Sequence, residues 1–139
     1  MRGLLQIAIG AVLVFVTAFE SHRIFLSFVP PLEIKSAVIV NQRLRSNEDL
    51  LIDYSVVRSR ICKATVDRFI KRERDNVVVF RTSFPGNAVM LGEVKQRAVV
   101  PLPEGLEPGE YSVSTANFFE CYEGVHSVIH APLFFTVVR

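Results

Sequence analysis

The sequence predicts an all-β domain that follows one N-terminal transmembrane helix, and three observations carry this prediction. An apolar run from Leu4 to Phe19 contains no charged residue. From Glu33 onward, apolar residues recur with a period of two in short segments rich in β-branched side chains, as in half-buried strands. No segment after Phe19 shows a helical stripe with caps. We therefore expect an antiparallel β-sandwich of about seven strands behind the helix.

The composition excludes several classes of protein. The chain has 139 residues, of which 50% are hydrophobic and 22% are charged, and its formal net charge is +2. It is too apolar for a disordered protein, and two cysteines are too few for a disulfide-dense miniprotein. The charge is too balanced for a dedicated nucleic-acid binder, so no nucleic-acid partner is expected. The length fits one domain with an appendage.

The apolar run has two interpretations. As a helix, Leu4–Phe19 measures roughly 24 Å, slightly less than a bilayer core, and Arg2 and Arg23 flank it as snorkelling cations. We interpret residues 1–23 as a signal anchor with the N-terminus inside and the remaining chain exported. The alternative is a cleaved signal peptide that ends at Val16-Thr17-Ala18, which would make the protein secreted.

Residues 24–32 are predicted to link the anchor to the domain. Their apolar run, Ile24–Val29, is too short to span a bilayer. It fits an interfacial stretch, an extension of the helix or an opening strand. Pro30 and Pro31 then fix an extended connection into the domain.

The sandwich is predicted over residues 33–139. Leu50–Val57 has the clearest alternation, with Leu50, Ile52, Tyr54 and Val56 on one side of the strand. The polar residues 72–76 form a turn. The predicted strands are Ile34–Val40, Leu50–Val57, Ala64–Lys71, Val77–Phe84, the weaker Ala88–Leu91, Gln96–Leu102, Tyr111–Glu120 and Leu133–Val138.

One local motif goes beyond patterning. Leu106, Pro108, Gly109 and Tyr111 form a Leu-x-Pro-Gly-x-Tyr segment before an alternating strand. It resembles the tyrosine corner of immunoglobulin-like and fibronectin type III domains, in which the tyrosine opens strand F and its hydroxyl bonds to upstream backbone. The resemblance covers six residues as a motif and residues 33–139 as an architecture. It implies an immunoglobulin-like antiparallel β-sandwich, and it implies no function.

The same resemblance assigns the other strands and the cysteines. It makes Ile34–Val40 strand A, Leu50–Val57 B, Ala64–Lys71 C, Gln96–Leu102 E and Leu133–Val138 G. Cys62 then precedes strand C and Cys121 ends strand F, and these strands are antiparallel neighbours in that fold. We expect a disulfide that ties the B–C loop to the F–G loop, with two unpaired thiols as the alternative.

The sequence carries no recognisable catalytic set. It has no G-x-S-x-G elbow and no glycine-rich phosphate loop, so we expect neither an enzyme nor a cofactor. His126 and His130, with Glu120 and Glu123 nearby, are weak candidates for a metal site that would also need reduced cysteines.

A cluster of basic residues is the most distinctive charge feature. As a functional surface it would bind lipid headgroups, an acidic protein or a polyanion. As a structural feature it would be a solvated face that protects an edge strand. In immunoglobulin-like topology, Arg58, Arg60 and Lys63 lie at the end where the chain enters, together with Tyr122, Val125, Val128 and Ile129, and we expect this end to face the membrane. The cluster comprises Arg58, Arg60, Lys63, Arg68, Lys71, Arg72 and Arg74.

The predicted function is that of a membrane-anchored, exported structural or protein-interaction module. It would serve as an accessory subunit of a membrane, envelope or virion assembly, with lipid around the helix and other membrane or envelope proteins as partners. The predicted location is periplasmic or extracellular. The alternatives are a secreted binding protein and a small metal carrier that uses His126 and His130.

Overall fold

A computed structural model describes residues 2–86 and 90–139 of the protein. Within these residues the chain forms one helix followed by nine strands. The elements are α1 (Arg2–Ser27), β1 (Leu32–Ile39), β2 (Arg43–Arg45), β3 (Leu50–Arg58), β4 (Lys63–Arg72), β5 (Val77–Gly86), β6 (Gly92–Val100), β7 (Gly109–Cys121), β8 (Gly124–Ile129) and β9 (Leu133–Val138).

Helix α1 is longer than the sequence predicted. The predicted anchor ended at residue 23, but the helix passes through Glu20, His22 and Arg23 and ends at Ser27. Its last turn tightens, because the amide of Phe28 donates to the carbonyl of Phe25 over 3.1 Å. The prolines after Val29 determine this end, since they lack the amide hydrogen that a further turn needs. Of the three alternatives for residues 24–29, the extension of the helix is therefore correct up to Ser27.

The strands form two sheets. The first has the order β1-β3-β6 and is antiparallel throughout. The second has the order β2-β9-β7-β4-β5, in which only the β2–β9 pair is parallel. Strand β7 is long enough for two neighbours on one side, so that β9 pairs with its first part and β8 with its last part.

The core lies between the two sheets. On β3, Leu50, Ile52, Tyr54 and Val56 are buried, which confirms the alternation predicted for this strand. The alternate positions of β3 therefore face the opposite sheet. The second sheet and the loops contribute the buried side chains of Leu44, Ile70, Tyr111, Val113, Phe119, Phe135, Val137 and Leu102.

Two strands were missed by the sequence analysis. Strand β2 has three residues, which is too few to show a period. Strand β8 lies in the segment interpreted as a loop, because Val125 and Ile129 face solvent and only His126 and Val128 are half-buried on the other face. The weak strand predicted at Ala88–Leu91 falls partly on residues 87–89, outside the described residues, and Met90 and Leu91 precede β6 without joining it.

Candidate functional site

The end of the sandwich next to α1, the helix-proximal end, is stabilised by a disulfide. Cys62 and Cys121 are bonded, as the sequence analysis expected. Cys62 immediately precedes β4 and Cys121 ends β7, and the adjacent pair Lys63 and Glu120 lies in register between these two strands. The bond therefore connects the β3–β4 loop to the last residue of β7, beside the two-residue turn into β8.

The linker after α1 is hydrogen-bonded to the same β3–β4 loop. The Ser59 amide donates to the Pro31 carbonyl over 3.0 Å, and the Ser59 hydroxyl donates to the Pro30 carbonyl over 3.0 Å. The guanidinium of Arg60 donates to the carbonyl of Val29. Pro30 and Pro31 have no amide hydrogen to donate, so their backbone is held through their carbonyls. The helix is thus attached to the sandwich by three contacts from two residues.

A buried charged cluster supports these contacts. Arg60 forms an ion pair with Glu123, whose side chain is completely buried in the turn between β7 and β8. Nε2 of His126 lies 3.0 Å from the same carboxylate. Because a buried carboxylate requires compensation, Glu123 fixes the positions of both partners. Arg60 thereby joins the linker, the β3–β4 loop and the β7–β8 turn in one unit.

An apolar rim surrounds the helix-proximal end. It consists of five side chains, each more than half exposed: Phe28, Ile61, Met90, Leu91 and Tyr122. Val125, next to the turn, is also exposed. Val128 and Ile129 were expected at this end, but β8 runs away from it, with Val128 half-buried and Ile129 paired with Ala116 on β7. The rim lies next to the helix whose composition suits a membrane.

The predicted basic surface is dispersed by the structure. Along β4, ten residues extend roughly 30 Å, so its two ends belong to opposite ends of the domain. Arg58 and Arg68 are buried between the sheets, Arg60 is buried against Glu123, and only Lys63 is exposed at the helix-proximal end, beside Glu120. At the far end, Lys71, Arg72 and Arg74 are paired with Glu73, Asp75 and Glu107. These seven side chains therefore do not share one face, because the strand alternation turns successive side chains to opposite faces.

Two carboxyl groups at the far end, those of Glu73 and Asp75, have lowered pKa values. The Arg72 guanidinium beside Asp75 lowers the pKa of that carboxyl, and the Ser112 hydroxyl lowers the pKa of Glu73. The far end is therefore a network of neutralised charges. It presents little net positive potential to an anionic partner.

The tyrosine motif lies at this far end. The Tyr111 hydroxyl donates to the Glu107 carbonyl over 2.8 Å, and its ring is buried and stacked on Phe135 with 5.8 Å between ring centres. Burial raises the pKa of Tyr111. Leu106 packs against the core, while Pro108 is exposed before β7 begins at Gly109. The local geometry is the upstream backbone contact that the motif implied.

The weak metal candidates are not brought together. Ligand atoms of Cys121, Glu123 and His126 lie within 4.8 Å of one another, but Cys121 is in the disulfide and Glu123 is held by Arg60. His130 has different neighbours: its Nδ1 lies 2.6 Å from the Ala131 carbonyl, and its ring packs edge-on against Tyr54. This cluster therefore acts as an ion-paired support.

The sequence analysis did not assign the roles of two residues at this end. Ser59 makes two of the three linker hydrogen bonds, and Glu123, named there only beside the weak metal candidates, is the buried acid. A glutamate in a two-residue turn is ordinarily exposed, so no local signal identifies it. Its burial depends on Arg60, which is 63 residues earlier in the chain.

Comparisons with known proteins give the fold a precedent. No protein-family model matches the chain, and no curated protein matches it. Among solved structures, the chain is similar to the C-terminal domain of wzt, with a TM-score of 0.59 and 12% identity over 79% of this chain and 75% of that chain. At this identity the likeness concerns the fold alone.

A second solved structure is more distant. It is the Pseudomonas fluorescens alkylpurine DNA glycosylase AlkC bound to DNA containing an abasic site analog. The TM-score is 0.47 and the identity 12%, over 79% of this chain and 31% of that chain. This similarity carries no argument about the present protein.

Proposed function

We propose that this protein is a non-enzymatic, membrane-anchored module that holds an exported β-sandwich against the outer surface of a membrane. The observation that carries the proposal is the exposure of α1. Gln6–Ser27 is long and apolar enough to cross a membrane, and none of its 18-residue apolar window is buried against the sandwich. An apolar surface of this extent requires lipid or other apolar helices around it.

The length of α1 supports a spanning arrangement. Its 22 apolar-rich residues extend roughly 33 Å as a helix, which matches a hydrocarbon core of about 30 Å with a small tilt. The disulfide supports export, because such bonds persist in oxidising compartments. A periplasmic or extracellular sandwich with an inside N-terminus accounts for both features.

We further propose that the sandwich is immunoglobulin-like. Two observations support this classification. The sheet order β1-β3-β6 opposite β9-β7-β4-β5 corresponds to strands A, B and E opposite G, F, C and one further strand. Tyr111 makes the corner hydrogen bond at the start of β7.

The role proposed for the module is that of an accessory subunit in a membrane or envelope assembly. Ser59 and Arg60 fix the linker to the β3–β4 loop, so the apolar rim is held beside the end of α1. A rim in this position contacts the headgroup layer or the membrane-embedded part of a partner. The exposed helix supplies a second surface for neighbouring helices.

Site-specific photo-crosslinking in native membranes tests this function. A benzophenone amino acid in place of Tyr122 should give crosslinks to lipid or to an integral membrane protein. The same group in place of Glu104, which is exposed in the loop between β6 and β7, is the matched control and should give none of these. Equal labelling from both positions, or a protein that alkaline carbonate releases from membranes, would refute the proposal. Intact mass determines whether the helix is retained.

A further inference from the structure

Two buried arginines face a cleft between the two sheets. Arg58 ends β3 and Arg68 lies in the middle of β4, and both are on the inward side of their strands. They are 8% and 7% exposed, which places both side chains inside the sandwich. The cleft has a volume of about 290 Å³. Charged side chains are rarely buried to this extent unless they are paired.

Neither guanidinium has a carboxylate partner among the described residues. Arg58 donates from Nη1 to the Met90 carbonyl over 3.3 Å, and its buried Nε has no hydrogen-bond partner there. Arg68 donates from Nε to the Thr115 hydroxyl over 3.5 Å and lies 5.3 Å from the centre of the Phe84 ring. Residues 87–89 are Asn, Ala and Val, so their side chains add no carboxylate either.

The other arginines of the sandwich are either paired or exposed. Arg43, Arg45 and Arg139 form no salt bridge with a described residue but are exposed to solvent. The remaining five form salt bridges with acidic side chains: Arg60, Arg72, Arg74, Arg81 and Arg97. A buried unpaired charge is strongly unfavourable in free energy, and it persists in a folded protein where a bound counter-charge compensates it. The two guanidinium groups thus indicate an anion that this chain does not supply.

The cleft has the composition of a small-molecule site. Its walls are mainly apolar, with Ile34, Val56, Phe84, Pro85 and Phe119 among them. The Thr115 hydroxyl contacts both Arg68 and Tyr54, since it also lies 3.4 Å from the Tyr54 hydroxyl. Gln96 on β6 and Phe84 on β5 are exposed and lie where the edges of the two sheets separate. Sites of this kind combine apolar walls with a few polar groups that orient the ligand.

We propose that this cleft binds a small oxyanion, a carboxylate or phosphate attached to a short apolar group. Arg58 and Arg68 bind the anion through their planar donor forks, and the aromatic and proline side chains contact the apolar part. The cleft begins at the helix-proximal end, because Leu32, Arg58 and Ala64 are strand ends there. A soluble metabolite and a lipid headgroup are therefore both sources of this chemistry. The proposal does not depend on the membrane function above.

Calorimetric titration of the full chain in phosphatidylcholine nanodiscs tests the proposal. The probes are n-hexyl phosphate, n-hexanoate, inorganic phosphate and neutral n-hexanol, at constant ionic strength. We expect saturable binding of at least one of the two hexyl anions and none of hexanol. Nanodiscs that contain phosphatidic acid distinguish the two sources. If the cleft takes a lipid phosphate, phosphatidic acid occupies it and abolishes binding of the soluble probe. If the cleft takes a soluble ligand, binding of the probe is the same with and without phosphatidic acid.

Two variants and one control identify the site. Arg68→Met and Arg58→Met should each weaken binding by about tenfold or more, since each removes charge-assisted hydrogen bonds. Without ligand these variants should be as stable as the parent protein or more so, because methionine removes an unpaired buried charge. Arg81→Met removes an exposed charge from β5 on the outward face and should leave binding unchanged.

Three results would contradict the proposal. It is overturned if the parent protein binds none of the anionic probes, if both cleft variants bind as tightly as the parent, or if Arg81→Met weakens binding to the same degree. Should Arg68→Met not fold, Arg68→Lys keeps the charge and loses the planar fork, and it must then show the weakened binding.

Discussion

Removal of the Cys62–Cys121 disulfide should lower the free energy of unfolding of the sandwich by about 4 kcal/mol. The two cysteines are 59 positions apart in the sequence. Opening a loop of this size returns roughly 14 cal/mol/K of chain entropy to the unfolded state, which is about 4 kcal/mol at room temperature. The folded state should change little, because the backbone ladder between β4 and β7 holds Lys63 opposite Glu120 without the bond.

Urea denaturation of the full chain in mild detergent measures this effect. The chain has no tryptophan, so the fluorescence of its tyrosines, of which Tyr54 and Tyr111 are buried, reports unfolding. A Cys62→Ala/Cys121→Ala double variant should lose roughly 1.5–4 M in its urea midpoint with an unchanged slope. Reductant should lower the urea midpoint of the parent protein and leave that of the double variant unchanged. A midpoint equal to that of the oxidised parent would refute the entropic reasoning.

Three further predictions concern stability. Glu123→Gln should lower the free energy of unfolding by about 3 kcal/mol or more in the urea assay, because it leaves the buried Arg60 charge uncompensated. The control Glu120→Gln, at an exposed position, should lower it by less than about 1 kcal/mol. Equal losses would contradict the role of Glu123. Tyr111→Phe should cost about 1 kcal/mol, since it leaves the Glu107 carbonyl without its donor, while Tyr122→Phe, at an exposed position, should be neutral in the same assay. The hydrogen bond from Arg97 lowers the pKa of Asp53. The stability that this hydrogen bond contributes to the fold is therefore complete above the ordinary carboxyl pKa and is lost as pH falls through the lowered value. The melting temperature should therefore decline below about pH 4, and less in Asp53→Asn; identical acid profiles would exclude this contribution.

Much of the architecture could be predicted from local patterns. The alternation at Leu50–Val57 gave the correct inward face of β3, and the Pro-Gly-x-Tyr segment placed the start of β7 within two residues. The patterns failed where a strand was short or carried apolar side chains on its exposed face. β2 has too few residues to show a period, and β8 exposes Val125 and Ile129. The end of α1 was misplaced because charged residues were taken as its boundary, although a helix accommodates them and proline does not.

The candidate sites were less predictable than the fold. Seven neighbouring cations suggested one surface, but a strand sends successive side chains to opposite faces, and the partners that decide each charge come from elsewhere in the chain. Arg68 is buried because its inward position on β4 faces the other sheet, whereas Arg72 meets Asp75 and Glu107. A run of charge in a sequence therefore does not specify an interaction surface.

The sequence by itself determined the apolar helix, the all-β character and the positions of the two cysteines, because these follow from hydropathy, period and residue type along a contiguous segment. Only the tertiary structure decided which charges are compensated. It buried Glu123 between Arg60 and His126, and it left Arg58 and Arg68 between the sheets without an acidic partner in the described residues. The physical reason is that desolvation of a charge depends on its neighbours in space, and these come from strands far apart in the chain.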